Sequence, residues 1–343
     1  MKKFLAIILA VVLMLSLSVV AFADTQTGNT TADDTMPANV QNTVNVVKTY
    51  KATNANTTSP AETVAFTFEN VSVTDAAADV TVDNMPELVS VTLAAYVEGA
   101  ATTAGFESNL VITLPVYTSV GVYTYSITET DGNMAGVTYG ANATPIKLVV
   151  TVTQGTDGLL EIAAIHTEGD GTTKTDTFTN EYSAGSLAVK KTVSGNMGDQ
   201  TAFFDFTVTL TAPTGDTVGA PITITGGSHA SNPTEVATTD WTNGVATVNF
   251  KLKHNETLTF ANIPYGVTYK VEETHVDGYT TTGEVTTATE LNAASTEVTI
   301  NNEKTTTPDT GITLDSLPYI LIGMVVLAAA VAMILNKRRN NAF

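Results

Sequence analysis

The chain has 343 residues, no cysteine, and 15 Lys+Arg against 34 Asp+Glu, for a formal net charge of −19. Without cysteine there are no disulfides, thiolate metal sites or thiol nucleophiles, and so acidic a chain lacks the cations that nucleic-acid affinity needs. The length suggests about two domains.

The N-terminus reads as a secretory signal over residues 1–23. Lys2 and Lys3 precede an apolar run from Phe4 to Val20, and Ala21-Phe22-Ala23 supplies the small residues of a cleavage point. An uncleaved membrane anchor is the alternative, which the Ala-x-Ala site disfavours. Residues 24–39 are rich in Thr, Asn and Asp and read as a flexible leader. Between Asp24 and Thr310 the chain carries ten basic residues, all lysine, against 33 acidic ones. Such a surface suits an extracellular protein that resists self-association.

From residue 40 onward short alternating runs dominate, the period of half-buried strands. Val44, Val46, Lys48 and Tyr50 face one way. Further strands are expected at Val64–Phe68, Val89–Ala94, Leu110–Leu114, Val122–Glu129, Ile146–Val152, Leu159–Ile165 and Thr175–Tyr182, with short helical turns at Ala76–Ala78 and Met85–Leu88. Ser183-Ala184-Gly185 is a brief joint, too short for a floppy linker. A second series follows: Leu187–Val193, Phe204–Leu210, Ile222–Thr225, Val245–Leu252, Thr257–Ala261, Val267–Glu273 and Glu297–Asn302. The expected fold is all-β, two tandem immunoglobulin-like sandwiches over residues 40–183 and 184–304, stacked end to end.

Both domains carry the same ordered trio. Lys48 ends the inward side of the opening strand, Glu129 that of Tyr123-x-Tyr125-x-Ile127-x-Glu129, and Asn180 sits between Phe178 and Tyr182. Lys191 follows Leu187 and Val189, Glu273 follows Tyr269 and Val271, and Asn302 follows Val298 and Ile300, each at period two. The same period sends Lys190, Glu272 and Asn301 to the opposite face. Three polar groups turned into an apolar interior are costly if they stay apart. Together they can react. Burial favours a neutral amine and a protonated carboxyl. Such an acid can polarise the Asn carbonyl and shuttle a proton to departing ammonia, and fixed proximity supplies the rate. The product is a Lys–Asn isopeptide bond made without any outside enzyme. A lone lysine at a strand end snorkels and a lone Asn starts a turn, but two trios in one order outweigh that reading.

Thr307-Pro308-Asp309-Thr310-Gly311 is followed by an uncharged stretch from Leu317 to Leu335 and by Lys337, Arg338 and Arg339. The stretch is long enough to cross a bilayer core, and the basic cluster should stay cytoplasmic. Motif, span and basic tail over residues 305–343 resemble the sorting signal of sortase substrates, with Thr307 where the family motif usually has Leu. That resemblance implies a sortase cysteine attacking the Thr310 carbonyl and releasing the chain from Gly311 onward.

The segment from Ile263 to Glu273, Ile-Pro-Tyr-Gly-Val-Thr-Tyr-Lys-Val-Glu-Glu, resembles the signature of collagen-binding-protein B-type domains. Gly121–Glu129 with Phe178-Thr179-Asn180-Glu181-Tyr182 resembles the N-terminal domain of Gram-positive sortase-assembled backbone pilins of the streptococcal T-antigen type. The resemblance implies Lys48–Asn180 and Lys191–Asn302 crosslinks assisted by Glu129 and Glu273. It also implies an acceptor lysine for the next subunit shortly before the first-domain Asn. Lys174 is the nearest match, with Lys147, Lys51 and Lys253 as rivals; the Tyr-Pro-Lys motif of other backbone pilins is missing.

The expected function is therefore the structural shaft subunit of a covalent pilus, secreted and anchored to the cell wall. The expected partners are a sortase, identical subunits, tip and basal pilins, peptidoglycan and host surface ligands. A monomeric wall-anchored adhesin or stalk is the alternative. An enzyme is not expected: His166, His229, His254 and His275 show no metal-ligand spacing, and no cofactor or metal is called for.

Overall fold

The computed structural model describes residues 43–89, 96–140, 145–169, 177–307 and 317–340. The expected signal and leader, the sorting motif from Pro308 to Gly311, Lys174, and the expected strand beyond Val89 lie outside the described residues.

The N-terminal half folds as eight strands: β1 Thr43–Ala52, β2 Phe66–Thr74, β3 Phe106–Thr113, β4 Gly121–Glu129, β5 Val137–Tyr139, β6 Ile146–Gln154, β7 Leu160–Glu168 and β8 Thr177–Tyr182. They form two four-stranded sheets, ordered β3-β1-β8-β5 and β2-β4-β6-β7. Alternation in β1 and β4 decides what is inside: β4 buries Gly121, Tyr123, Tyr125, Ile127 and Glu129 and leaves the residues between them half-covered. Phe66 and Phe178, one from each sheet, meet at 5.0 Å between ring centroids and join the layers. One core holds these residues with Val46, Leu110 and Leu148.

The second half repeats the plan. Its strands are β9 Ala184–Ser194, β10 Phe204–Thr211, β11 Ile222–Gly226, β12 Glu235–Val236, β13 Val245–Leu252, β14 Thr257–Pro264, β15 Thr268–Glu273, β16 Thr280–Thr282, β17 Val285–Glu290 and β18 Ser295–Glu303. The sheet β12-β11-β14-β9-β18-β16 faces the sheet β13-β10-β15-β17, with Phe250 against Phe260 across the gap. In both halves the first long strand runs parallel to the last, β1 beside β8 and β9 beside β18, while the remaining pairs are antiparallel. The fold class is all-β, as the alternation implied.

Two local expectations are corrected. Ala76–Ala78 and Met85–Leu88 are bend, turn and irregular backbone rather than helical turns. Pro86 lacks the N–H a helix would use, and Met85 and Leu88 are drawn into the core instead. The brief joint at Ser183–Gly185 is tied to both halves: β9 begins at Ala184, and Ser183 is held by Gly136 and Tyr265 through backbone hydrogen bonds of 2.8 and 2.9 Å.

The two halves are closely packed at that point. Asn262, a bulge residue at φ 70° in β14, spends its side chain on the other half. Its Oδ1 accepts the Thr58 N–H at 2.9 Å and its Nδ2 donates to the Thr58 carbonyl at 2.9 Å, while the Tyr182 hydroxyl donates to Oδ1 at 3.3 Å. Gly136, at φ 78°, lies where a Cβ would meet the Ser183 carbonyl at 2.6 Å and Pro264 at 2.9 Å, so only glycine fits. Asn262→Ala orphans the Thr58 backbone and strains a left-handed position. A loss of about 1–3 kcal/mol is expected, read as a lower calorimetric midpoint and faster proteolysis near Ser183.

The last element is helix α1, Leu317–Asn340, with Lys337, Arg338 and Arg339 in its final turn. Its large apolar side chains from Tyr319 to Leu335 are exposed, and Pro318–Arg339 is long and apolar enough to cross a membrane.

Candidate crosslinking sites

Strand register brings the polar residues of each half together. Parallel pairing sets Lys48 beside Phe178 and Tyr50 beside Asn180, so Asn180 stands one same-face step beyond Lys48 on the neighbouring strand. In the second half Lys191 pairs with Ile300 and Val193 with Asn302, the same offset. The facing sheet supplies the acid, Glu129 at the end of β4 and Glu273 at the end of β15. Six polar side chains are thereby placed in two apolar interiors: Lys48, Lys191 and Asn302 are 0% exposed, Asn180 1%, Glu129 2% and Glu273 9%. Their sequence neighbours Lys190 and Asn301 are half-buried and Glu272 is exposed.

Each carboxyl group bridges the other two members. Lys48 Nζ donates to Glu129 Oε2 at 3.0 Å, and Asn180 Nδ2 donates to Glu129 Oε1 at 2.6 Å. Lys191 Nζ donates to Glu273 Oε2 at 2.6 Å, and Asn302 Nδ2 donates to Glu273 Oε1. Phe204 and Phe206 pack around the Lys191 ammonium, at 4.4 and 5.6 Å from the ring centroids.

Burial governs the protonation states. It drives both lysines below the ordinary lysine value, against the opposing pull of Glu129 on Lys48 and of Glu273 on Lys191. Burial likewise pushes Glu273 above the ordinary carboxylate range, with Lys191 and Asn302 pulling the other way. An isolated buried ion pair seldom recovers its desolvation cost. Moving one proton from lysine to glutamate leaves a neutral amine and a neutral acid, which removes that cost. The orphaned atoms point the same way: Asn180 Oδ1 and Asn302 Oδ1 are both buried without a partner. A protonated carboxyl supplies the missing donor once the amide is turned over, since amide oxygen only accepts and amide nitrogen only donates.

Sequence reading missed Glu62 and Tyr139, which lie beside the first trio. Glu62 comes from the segment between β1 and β2 and is buried, and the Tyr139 hydroxyl donates to its Oε1. Ser-Pro-Ala-Glu has no strand period, so nothing in the sequence marked Glu62 as interior. Of the other lysines weighed as acceptors, Lys51 pairs with Glu181 at 2.8 Å and Lys253 with Glu256 at 3.6 Å. Thr307 is exposed at the end of the described C-terminal domain. His254 Nδ1 accepts the Val193 N–H at 2.9 Å, a structural use. Among the described residues no group of three or more His, Asp or Glu could hold a metal ion.

Family models match both halves of the chain. Residues 26–183 match the Spy0128-like isopeptide containing domain, and residues 185–304 match a domain of unknown function (DUF7601). A pilin of Streptococcus pyogenes serotype M1 is 27% identical over 237 residues, covering 63% of this chain and 68% of the relative. Two solved structures are similar. The major pilin T3.2 of S. pyogenes has 25% identity and a TM-score of 0.49, over 76% of this chain and 97% of its own. Another S. pyogenes major pilin has 22% identity and a TM-score of 0.48, over 77% and 99%. The chain carries a Spy0128-like isopeptide containing domain over residues 26–183 and is similar to streptococcal pilins, which supports a pilus structural subunit.

Proposed function

We propose that this pilin is a shaft subunit whose two domains, residues 40–183 and 184–304, each close one internal Lys–Asn amide. In the first, Lys48 Nζ attacks Asn180 Cγ. Glu129 protonates the carbonyl oxygen, passes the proton released by the attacking nitrogen to Nδ2 as that C–N bond breaks and ammonia leaves, and recovers its own proton from the oxygen as the new amide forms. Lys191, Asn302 and Glu273 do the same in the second. Folding holds nucleophile, electrophile and acid together in one buried apolar interior, which makes a reaction that is slow in water effectively intramolecular. The observation that carries this reading is the repeated geometry: an acid touching both lysine and amide, all three buried, in both halves.

Each bond would tie the first strand of a domain to the last. Tension entering at one terminus and leaving at the other then runs through β1 to β8 and β9 to β18 and bypasses the loops between. That topology fits a load-bearing shaft and replaces the disulfides this chain cannot form. A sortase would cleave between Thr310 and Gly311 and pass the Thr310 acyl group to Lys174 of the next subunit, or to peptidoglycan at the base. Helix α1 would hold the precursor in the membrane until then. Tip and basal pilins and host surface ligands would be the remaining partners.

Intact mass tests the chemistry directly. Each bond expels one ammonia, so the purified domain pair is expected about 34 Da lighter than its sequence mass, with Lys48–Asn180 and Lys191–Asn302 branched peptides after digestion. An unaltered mass ends the crosslink reading.

A further inference from the structure

The first crosslinking site holds more acid than the trio requires. Glu62 is 5% exposed. It is fixed by a pair of backbone hydrogen bonds with Tyr96, at 2.9 and 2.7 Å, and its Oε1 takes the Tyr139 hydroxyl. Tyr139 in turn stands directly across from Asn180 on β5, as Tyr50 does on β1. Glu62 Oε2 and Tyr50 Oη are both buried and without a partner, like Asn180 Oδ1. The groups facing Glu62 are Lys48 and Tyr50 from β1, Glu129 from β4, Asp131 just beyond it, Tyr96, and Tyr139 from β5. Lys48 is the one basic group among them.

Charge counting then constrains the site. One amine and two carboxyl groups are shut into the same interior. If all three ionised, a net negative charge would be buried, and like charges this close do not both ionise readily. The set is neutral when it keeps two protons. Burial holds Glu62 above the ordinary carboxylate range, against the opposing Tyr139 hydrogen bond. The second domain differs. Its extra carboxyl, Glu284, is exposed and accepts the Glu273 backbone N–H at 2.7 Å, so it is not enclosed with the trio.

We propose that Glu62 is the proton store of the first crosslink: it takes the proton of the Lys48 ammonium so that Glu129 can stay the acid facing Asn180, and it returns that proton to the departing ammonia. This rests on the crosslink reading above. The balance closes. The site starts as Lys48 ammonium, Glu129 acid and Glu62 carboxylate. Transfer to Glu62 frees the amine, which attacks Asn180 Cγ. Ammonia leaves, takes the proton from Glu62 and departs as ammonium. The new amide, Glu129 acid and Glu62 carboxylate remain, with no outside acid or base consumed.

The test follows both bonds in one chain. Protein from cell-free translation is collected in denaturant, diluted into buffers between about pH 5 and 9, quenched at intervals and digested, so that each branched peptide is timed separately. In the wild type the two bonds are expected to have different pH–rate profiles. In Glu62→Gln the Lys48–Asn180 bond slows roughly tenfold or more near neutral pH and its profile approaches that of Lys191–Asn302, which itself does not change. Tyr139→Phe, which keeps the carboxyl but removes its donor, slows the first bond less and decides the matter should Glu62→Gln fail to fold. First-bond kinetics unchanged in whichever variants fold overturn the role of Glu62. Absence of both bonds from the wild type instead overturns the crosslink reading, so the two failures are distinguishable.

Discussion

Glu129→Ala and Glu273→Ala are each expected to abolish one bond and to cost the domain more than any other single change in its interior. Two effects act together. The crosslink closes a loop of more than a hundred residues, whose constraint on the unfolded chain is equivalent to about 4–5 kcal/mol. The alanine also removes the carboxyl that touches the buried lysine, leaving Lys191 with none beside it and Lys48 with only Glu62 nearby, and breaking a buried pair in this way costs about 3–5 kcal/mol. Calorimetry should show the affected transition lowered by at least about 10 °C, with intact mass raised by one ammonia. Asn302→Ala separates the two effects, because it removes the bond while Lys191 and Glu273 stay paired at 2.6 Å. It should cost the loop term without most of the second.

That variant also has a defined pH response. Burial lowers Lys191, so between its depressed value and the ordinary lysine value the unfolded chain binds more protons, and stability rises with pH through that alkaline window. Burial raises Glu273, so between the ordinary carboxylate value and its raised one the folded chain binds more protons, and stability falls as pH rises there. The linked protein has no Lys191 amine left to titrate and should lack the alkaline rise. Urea midpoints across pH for the two proteins would reveal the difference; parallel curves would contradict the assigned protonation states.

The second large effect concerns assembly. Replacing Thr310 with Ala in the full-length chain, expressed with its sortase, is expected to remove the ladder of covalent multimers from denaturing gels of wall extracts and leave membrane-held monomer. The effect is all-or-none because the acyl donor itself is altered. Lys174→Ala should remove the ladder but keep wall-linked monomer, since it takes away the acceptor and spares the donor. A ladder that survives Lys174→Ala moves the acceptor elsewhere. Lys51 and Lys253 are held by Glu181 and Glu256, which makes Lys147 the next lysine to replace.

Much of this molecule was legible in the residues themselves. Alternation at period two told which side of each strand turns inward, and so separated Lys191 from Lys190 and Glu273 from Glu272 without coordinates. It worked because β1, β4, β9, β15 and β18 each have one face on a core, where a single slip would turn every side chain over. It failed where no strand runs. Glu62, Met85 and Leu88 are buried by loops folding back over the sheet, and a loop has no period to read. The short strands β5, β12, β16 and β17 were likewise missed, being defined by the neighbours they pair with rather than by their own composition.

By itself the sequence determined the all-β class, the recurrence of one Lys–Glu–Asn order in two halves, and the motif, span and basic tail at the C-terminus. These are properties of residue type and spacing, carried locally along the chain. Only the tertiary structure decided what those residues touch. It set first and last strands parallel with an offset of two residues, placed a facing-sheet carboxyl against both lysine and amide, and locked the halves through Asn262. It also enclosed Glu62 with the first site. Each of these joins residues far apart in the chain, and such contacts are fixed by how sheets pack and which polar groups find partners, which spacing along one strand does not encode.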